Sequence, residues 1–138
     1  MFLGVPMRIL IVEDEFTSRK LLTALLSDYG QCDTANDGLE CVSAFRDALE
    51  EGIPYDLVCL DIMMPNMNGH QALNEIRKLE SEKGIKPSAE CKVIMVTALN
   101  DPSTVVKAYY KGGVSAYLPK PIEIDTLLSI LRDFDMID

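Results

Sequence analysis

"DLVCLDIMMPNMNG", residues 56–69, is the stretch from which the fold can be read. Leu57, Val58, Cys59 and Leu60 follow one another with no polar alternation, the pattern of a strand buried on both faces. Such a strand belongs to a parallel sheet with helices above and below it. The run then stops on one acid, Asp61, with Met63, Met64 and Pro65 close behind. A carboxylate at the end of a buried strand is costly to desolvate unless it is paired, metal-bound or chemically employed. What other segments deliver to the same place decides between these.

Outward from this stretch the same unit recurs: an apolar run, a loop, then a helical stripe. The runs are RILIV (8–12), CDTA (32–35), DLVCL (56–60), KVIMV (92–96) and AYL (116–118). Leu22, Leu25, Leu26 and Tyr29 repeat at helical spacing, and Gly30 reads as the stop of that helix. Cys41, Val42, Phe45, Ala48 and Leu49 form a second stripe closed by Gly52. Ala72, Leu73, Ile76 and Leu79 form a third ending near Gly84. Asp101-Pro102 is a cap with proline in the first turn, predicting a helix that Gly112 and Gly113 end. Ile124, Leu127, Leu128, Leu131 and Phe134 form the last. Five βα units predict an α/β fold: a flavodoxin-like, doubly wound, five-stranded parallel sheet of order 2-1-3-4-5 with five helices. Residues 1–138 read as a single domain, with 1–6 as a short N-terminal extension and 82–90 as an exposed loop. The last helix runs to the end of the sequence, so no output domain is expected within it.

Composition removes several classes. Thirteen basic against 22 acidic residues give a net charge of −9, which argues against direct contact with a nucleic acid backbone. No apolar run approaches the roughly 20 residues that span a bilayer, so no membrane insertion is expected. The opening MFLGVPM lacks a basic region and an apolar core of signal-peptide length. Cys32, Cys41, Cys59 and Cys91 are scattered with no CxxC pair, which reads as four buried free thiols in a reducing, cytoplasmic setting.

In open α/β sheets ligands bind outside the carboxyl ends of the strands, at the switch in strand order. Here those ends carry Glu13-Asp14, Asp61, Thr97 and Lys120. In the order 2-1-3-4-5 they converge on one crevice. Two unit charges 4 Å apart repel by about 4 kcal/mol at an effective dielectric near 20, so three acids together need a cation. A site with few carboxylates and open water positions suits Mg²⁺. An acid beside such an ion can act as a nucleophile towards phosphorus. A hydroxyl and an ammonium, Thr97 and Lys120, are suitable partners for phosphoryl oxygens.

VEDE (12–15), LDIMMPNMNG (60–69), VTA (96–98) and YLPKP (117–121) together resemble the receiver domain of two-component response regulators, over residues 7 to about 135. The resemblance implies that Asp61 accepts a phosphoryl group and that Mg²⁺ is held by Asp14, Asp61 and the backbone carbonyl of Met63. Glu13 would act on the ion through water. Thr97 and Lys120 would sense the phosphoryl group, Tyr117 would turn inward, and Lys120-Pro121 would be a cis peptide. The donor would be a sensor histidine kinase or a histidine phosphotransfer protein. A downstream protein target would bind the face of the fourth helix, fifth strand and fifth helix. Met63 and Leu99, two places after Asp61 and Thr97, offer no hydrogen bond to an attacking water, which implies a long-lived phosphoryl group. Such a chain catalyses its own phosphorylation and slow dephosphorylation without being a dedicated enzyme. His70, the only histidine, reads as solvent-facing, so the donor imidazole must come from elsewhere.

Two other classes share parts of this pattern. A Mg²⁺-dependent aspartyl-phosphate phosphatase would place a second acid two residues after the nucleophile, where this chain has Met63. A flavodoxin-like FMN carrier needs a phosphate-cradling loop after the first strand, where EDEF would repel phosphate. A receiver-like module that binds partners without phosphorylation would not need the complete residue set.

Overall fold

The apolar runs at 8–12, 56–60 and 92–96 place alternate side chains into two separate cores, one on each face of the sheet. The computed structural model describes residues 6–98 and 113–138. Along the chain these are β1 (Met7–Val12), α1 (Phe16–Leu26), β2 (Gly30–Ala35), α2 (Gly38–Glu50), β3 (Leu57–Asp61), α3 (Gly69–Glu82), β4 (Lys92–Thr97), β5 (Ala116–Pro119) and α4 (Ile124–Asp133). All pairings are parallel and the strand order is β2-β1-β3-β4-β5, the expected one. The described residues contain four α-helices where five were expected. The segment opened by Asp101-Pro102 lies outside them.

Leu10 and Val12 of β1, Val58 and Leu60 of β3, and Val93 and Met95 of β4 meet Phe45 of α2 and Leu73 and Ile76 of α3. Their neighbours Ile9, Ile11, Leu57, Cys59, Ile94 and Val96 meet Leu22 and Leu26 of α1 and Leu127 and Leu131 of α4. Each fully buried aliphatic side chain contributes about 1.5–3 kcal/mol relative to exposure. The two-sided burial is thus what makes the apolar runs continuous.

Local departures have local causes. α1 ends at Leu26 with Ser27 as its cap, so Tyr29 lies in the turn and its N–H reaches back to the Leu26 carbonyl. Gly30 does not stop that helix but begins β2, where a Cβ would lie 2.5 Å from the Met7 carbonyl oxygen. Close approach of β1 excludes any side chain there. Gly52 and Gly84 do follow helix ends, at φ +76° and +74°. The segment 82–90 is not wholly loop: Glu82 belongs to α3, and Pro87–Ala89 forms a 3-10 turn begun by proline. Cys41, Cys59 and Cys91 are buried and free, whereas Cys32 on the edge strand β2 is only half-buried.

Candidate functional site

β1, β3, β4 and β5 end side by side, and Glu13, Asp14, Asp61, Thr97 and Lys120 all lie at or just past those ends. Glu13 follows β1, Asp61 closes β3, Thr97 closes β4, and Lys120 follows β5. Asp61 lies opposite Val96 and Thr97 opposite Pro119, so Thr97 sits one step beyond the acid on the next strand. The Lys120 N–H donates to the Thr97 carbonyl at 2.8 Å, locking the two strand ends together. Lys120-Pro121 is a cis peptide, as expected.

Glu13, Asp61 and Thr97 are buried, while Asp14 is exposed. One carboxylate oxygen from each of Glu13, Asp14 and Asp61 lies within 4.8 Å of the others. The Lys120 ammonium approaches Glu13 Oε1 at 2.5 Å and Asp61 Oδ2 at 3.5 Å. Burial, and then the neighbouring Asp61 carboxylate, outweigh the lysine and push the Glu13 carboxyl up to about 7. Burial alone would depress the Lys120 ammonium, but its contacts with Glu13 and Asp61 hold it above its ordinary value. Two of the three acids, Glu13 and Asp61, therefore share Lys120.

Whether these residues suit a divalent cation is answered by Glu13. Its Oε2 is buried and has no hydrogen-bond partner among the described residues. An orphaned buried carboxylate oxygen costs free energy that a cation, or a water bound to one, would recover. The donor set is all oxygen, as Mg²⁺ requires.

The loop from Asp61 to α3 is closed at its base. The Gly69 N–H donates to the Ile62 carbonyl at 2.9 Å, and a Cβ on Gly69 would lie 2.5 Å from the Asp61 carbonyl oxygen. Asn68 and Gln71 form a reciprocal capping box at the start of α3. His70, in this tightly held first turn, is half-buried and has an interaction of its own. Met64 and Met67 pack on the α2/α3 core, while Met63 is 65% exposed. Tyr117 is half-buried against the same core. Leu99 lies outside the described residues.

At the first acid pair, the Arg19 guanidinium donates to the Glu13 carbonyl at 2.8 Å and the Glu13 N–H donates to Ala35 at 3.1 Å. Sequence reading passed over Arg19, although an arginine one turn into the helix after an acid pair is a visible signal. It also missed Asp37 and Asn66, whose 2.8 Å hydrogen bond joins the start of α2 to the loop between β3 and α3.

Fold and site thus define a class: a parallel α/β domain presenting an acidic, cation-suited crevice with a buried strand-end aspartate and a lysine. Residues 9–132 match the family described as the response regulator receiver domain, and the chain belongs to that family. It is a receiver domain of two-component signalling, in which the phosphoryl-acceptor role is a family property. Chemotaxis protein CheY of Treponema pallidum is 35% identical over 135 residues, covering 94% of this chain and 85% of that protein. Histidine kinase CKI1 of Arabidopsis thaliana is 30% identical over 138 residues, covering 93% of this chain but 12% of the kinase. The chain therefore spans about an eighth of the length of such kinase relatives. Among solved structures, the CheX–CheY–BeF3–Mg²⁺ complex from Borrelia burgdorferi matches with TM-score 0.82 and 28% identity, over 96% of this chain and 91% of that one. The CKI1 receiver domain complexed with Mg²⁺ and BeF3⁻ matches with TM-score 0.80 and 27% identity, over 95% and 91%.

Proposed function

We propose that Asp61 is the phosphoryl acceptor of this receiver domain, served by Mg²⁺ held by Asp14, Asp61 and the Met63 carbonyl, with Glu13 acting through water. The observation that carries this is the convergence of Glu13, Asp14 and Asp61 within 4.8 Å, with Lys120 against Glu13 and Asp61. Bound magnesium would supply neutralisation of the acids and a ligand position for a phosphoryl oxygen. The Asp61 oxygen attacks phosphorus, a P–O bond forms as the P–N bond to a donor imidazole breaks, and imidazole leaves. Lys120 and the Thr97 hydroxyl bind the oxygens of the transferred group, and the buried strand end holds the acceptor in line.

The donor imidazole belongs to a sensor histidine kinase or a histidine phosphotransfer protein. The output is a change in binding of a protein target through the face of the expected fourth helix, which lies outside the described residues, the fifth strand (β5) and the expected fifth helix (α4), with Thr97 and Tyr117 as the switch residues. Moving such a switch from 1:99 to 99:1 takes about 5.5 kcal/mol of differential stabilisation. The acidic surface fits protein partners rather than nucleic acid. Among the described residues no helix is long and apolar enough to cross a membrane. The three buried free thiols fit a reducing, cytoplasmic setting, and the family match over residues 9–132 fits a single receiver unit over 1–138.

Incubation with a small acyl phosphate and Mg²⁺ tests the reading. Intact mass should rise by one phosphoryl group and fall back with hydroxylamine, which cleaves acyl phosphates. Equal labelling of Asp61→Asn would remove Asp61 from its role.

A further inference from the structure

The acceptor loop, Ile62 to Asn68, is braced from outside its own unit. The Met67 N–H donates to the Pro65 carbonyl at 2.7 Å, which makes a three-residue turn with Asn66 at its apex. Asn66 sits at φ +67°, the left-handed region that asparagine tolerates better than most residues. Its Nδ2 donates to Asp37 Oδ2 at 2.8 Å, a contact spanning 29 residues of chain. Asp37 is also the N-cap of α2, where its Oδ1 accepts the Glu40 N–H at 2.9 Å. The loop lies directly on that helix start: a Cβ on Gly38 would come within 2.4 Å of the Met67 carbonyl oxygen. One carboxylate thus caps α2 with one oxygen and holds the acceptor loop with the other.

We propose that Asp37 and Asn66 are a positioning pair for the acceptor reaction, holding the β3–α3 loop and its Met63 carbonyl in the shape that cation binding and phosphoryl transfer require. The inference rests on the reading of Asp61 as acceptor. Neither residue touches the reacting atoms. A backbone carbonyl is a useful metal ligand only if its loop is held still before the ion arrives, and groups that orient ligands commonly matter about 10–100-fold in affinity or activity. Here the tether comes from α2, so a change at that helix start is felt at the site.

The simpler role for Asn66, supplying a left-handed residue, is separated by Asn66→Gly, which keeps that backbone and loses the amide. Asn66→Asp sets two carboxylates against each other. The exchange Asp37→Asn with Asn66→Asp restores a donor and an acceptor at the native net charge. Mg²⁺ affinity by calorimetry, labelling rate with acyl phosphate, and Tm without the ion are measured for each. Asn66→Gly and Asn66→Asp should each weaken Mg²⁺ binding about tenfold and slow labelling, and the exchange should recover both. Extra negative charge alone would favour a cation, so weaker binding by Asn66→Asp cannot be a charge effect. Native Mg²⁺ affinity and labelling in Asn66→Gly, with or without a lower Tm, would overturn the proposal. So would an exchange variant of native Tm that recovers neither. If Asn66→Asp does not fold, Asn66→Gly decides alone. Absence of labelling in the native chain would instead sink the acceptor assignment, while the relative Mg²⁺ affinities would still report on the pair.

Discussion

Glu13 and Asp14 are adjacent in sequence and opposite in circumstance. Glu13 is 1% exposed, with one oxygen on Lys120 and the other unpartnered, whereas Asp14 faces solvent and is free to reach an ion. Direct coordination is worth more than contact through a water, so Asp14→Ala should weaken Mg²⁺ binding more than Glu13→Ala. Metal titration of both variants checks this; Glu13→Ala as the poorer binder would reverse the assignment. Met63 bears on a different step. Its side chain is largely exposed and cannot orient a water. Hydrolysis of the phosphorylated state is expected to be slow, and Met63→Asn with Leu99→Glu should speed it by about tenfold, roughly 1.4 kcal/mol of barrier. Decay followed on a phosphate-affinity gel reads the rate, and an unchanged decay would show that other groups set it.

The apolar faces hold the helices to the sheet, and the first turns of α1, α2 and α3 are each fixed by a side-chain cap. Glu15 caps α1 by accepting the Thr17 and Ser18 N–H groups, and the Ser18 hydroxyl contact, followed by those backbone bonds, lowers its carboxyl to about 2. A carboxyl lowered on folding stabilises the folded state above its unfolded value of 4.5, and that contribution is lost as pH falls through about 2. The protection factors of the Thr17 and Ser18 amides, exchange being corrected for its intrinsic pH dependence, should therefore fall as pH drops from 4.5 towards about 2 in the native chain, with Glu15→Gln showing little of this dependence. Asp37-Gly38 and Asn68-Gly69 open α2 and α3 in the same way. Such pairs are usually read as turns, and their reason here is tertiary: Gly38 faces the Met67 carbonyl oxygen and Gly69 the Asp61 carbonyl oxygen. That is why strands and helical stripes were legible in the sequence while the braces were not. Periodicity reports burial, but Asn66 meeting Asp37 depends on where a loop lands 29 residues away. Gly30 was misjudged for the same reason, since its constraint is the passing backbone of β1.

Across the whole molecule, the site lies at one end of the sheet and a second polar cluster secures the other. Arg77 donates to Glu80 at 2.6 Å, to the Cys91 carbonyl at 3.0 Å and to the Gly113 carbonyl at 2.9 Å, while Glu80 accepts the Cys91 N–H at 2.7 Å. This ties α3 to the residues leading into β4 and β5. Glu80 is 1% exposed, so Arg77→Ala would leave a buried unpaired charge and should cost about 3–5 kcal/mol in urea unfolding. A loss below about 1 kcal/mol, the range of exposed pairs, would show that the cluster is not buried in solution. The acceptor end was readable in advance because parallel topology sends every strand's carboxyl end to one place, so Glu13, Asp14, Asp61, Thr97 and Lys120 could be gathered from order alone. That Lys120 approaches Glu13 more closely than Asp61 was not readable, since it depends on side-chain geometry. The central claim, that Asp61 carries the phosphoryl group, is tested most directly by locating the modification. After labelling with acyl phosphate and Mg²⁺, borohydride reduction converts an aspartyl phosphate to homoserine, which peptide mass spectrometry can place. The account predicts homoserine at position 61 and nowhere else; conversion at Asp14, or at any other carboxyl with Asp61 intact, would contradict it.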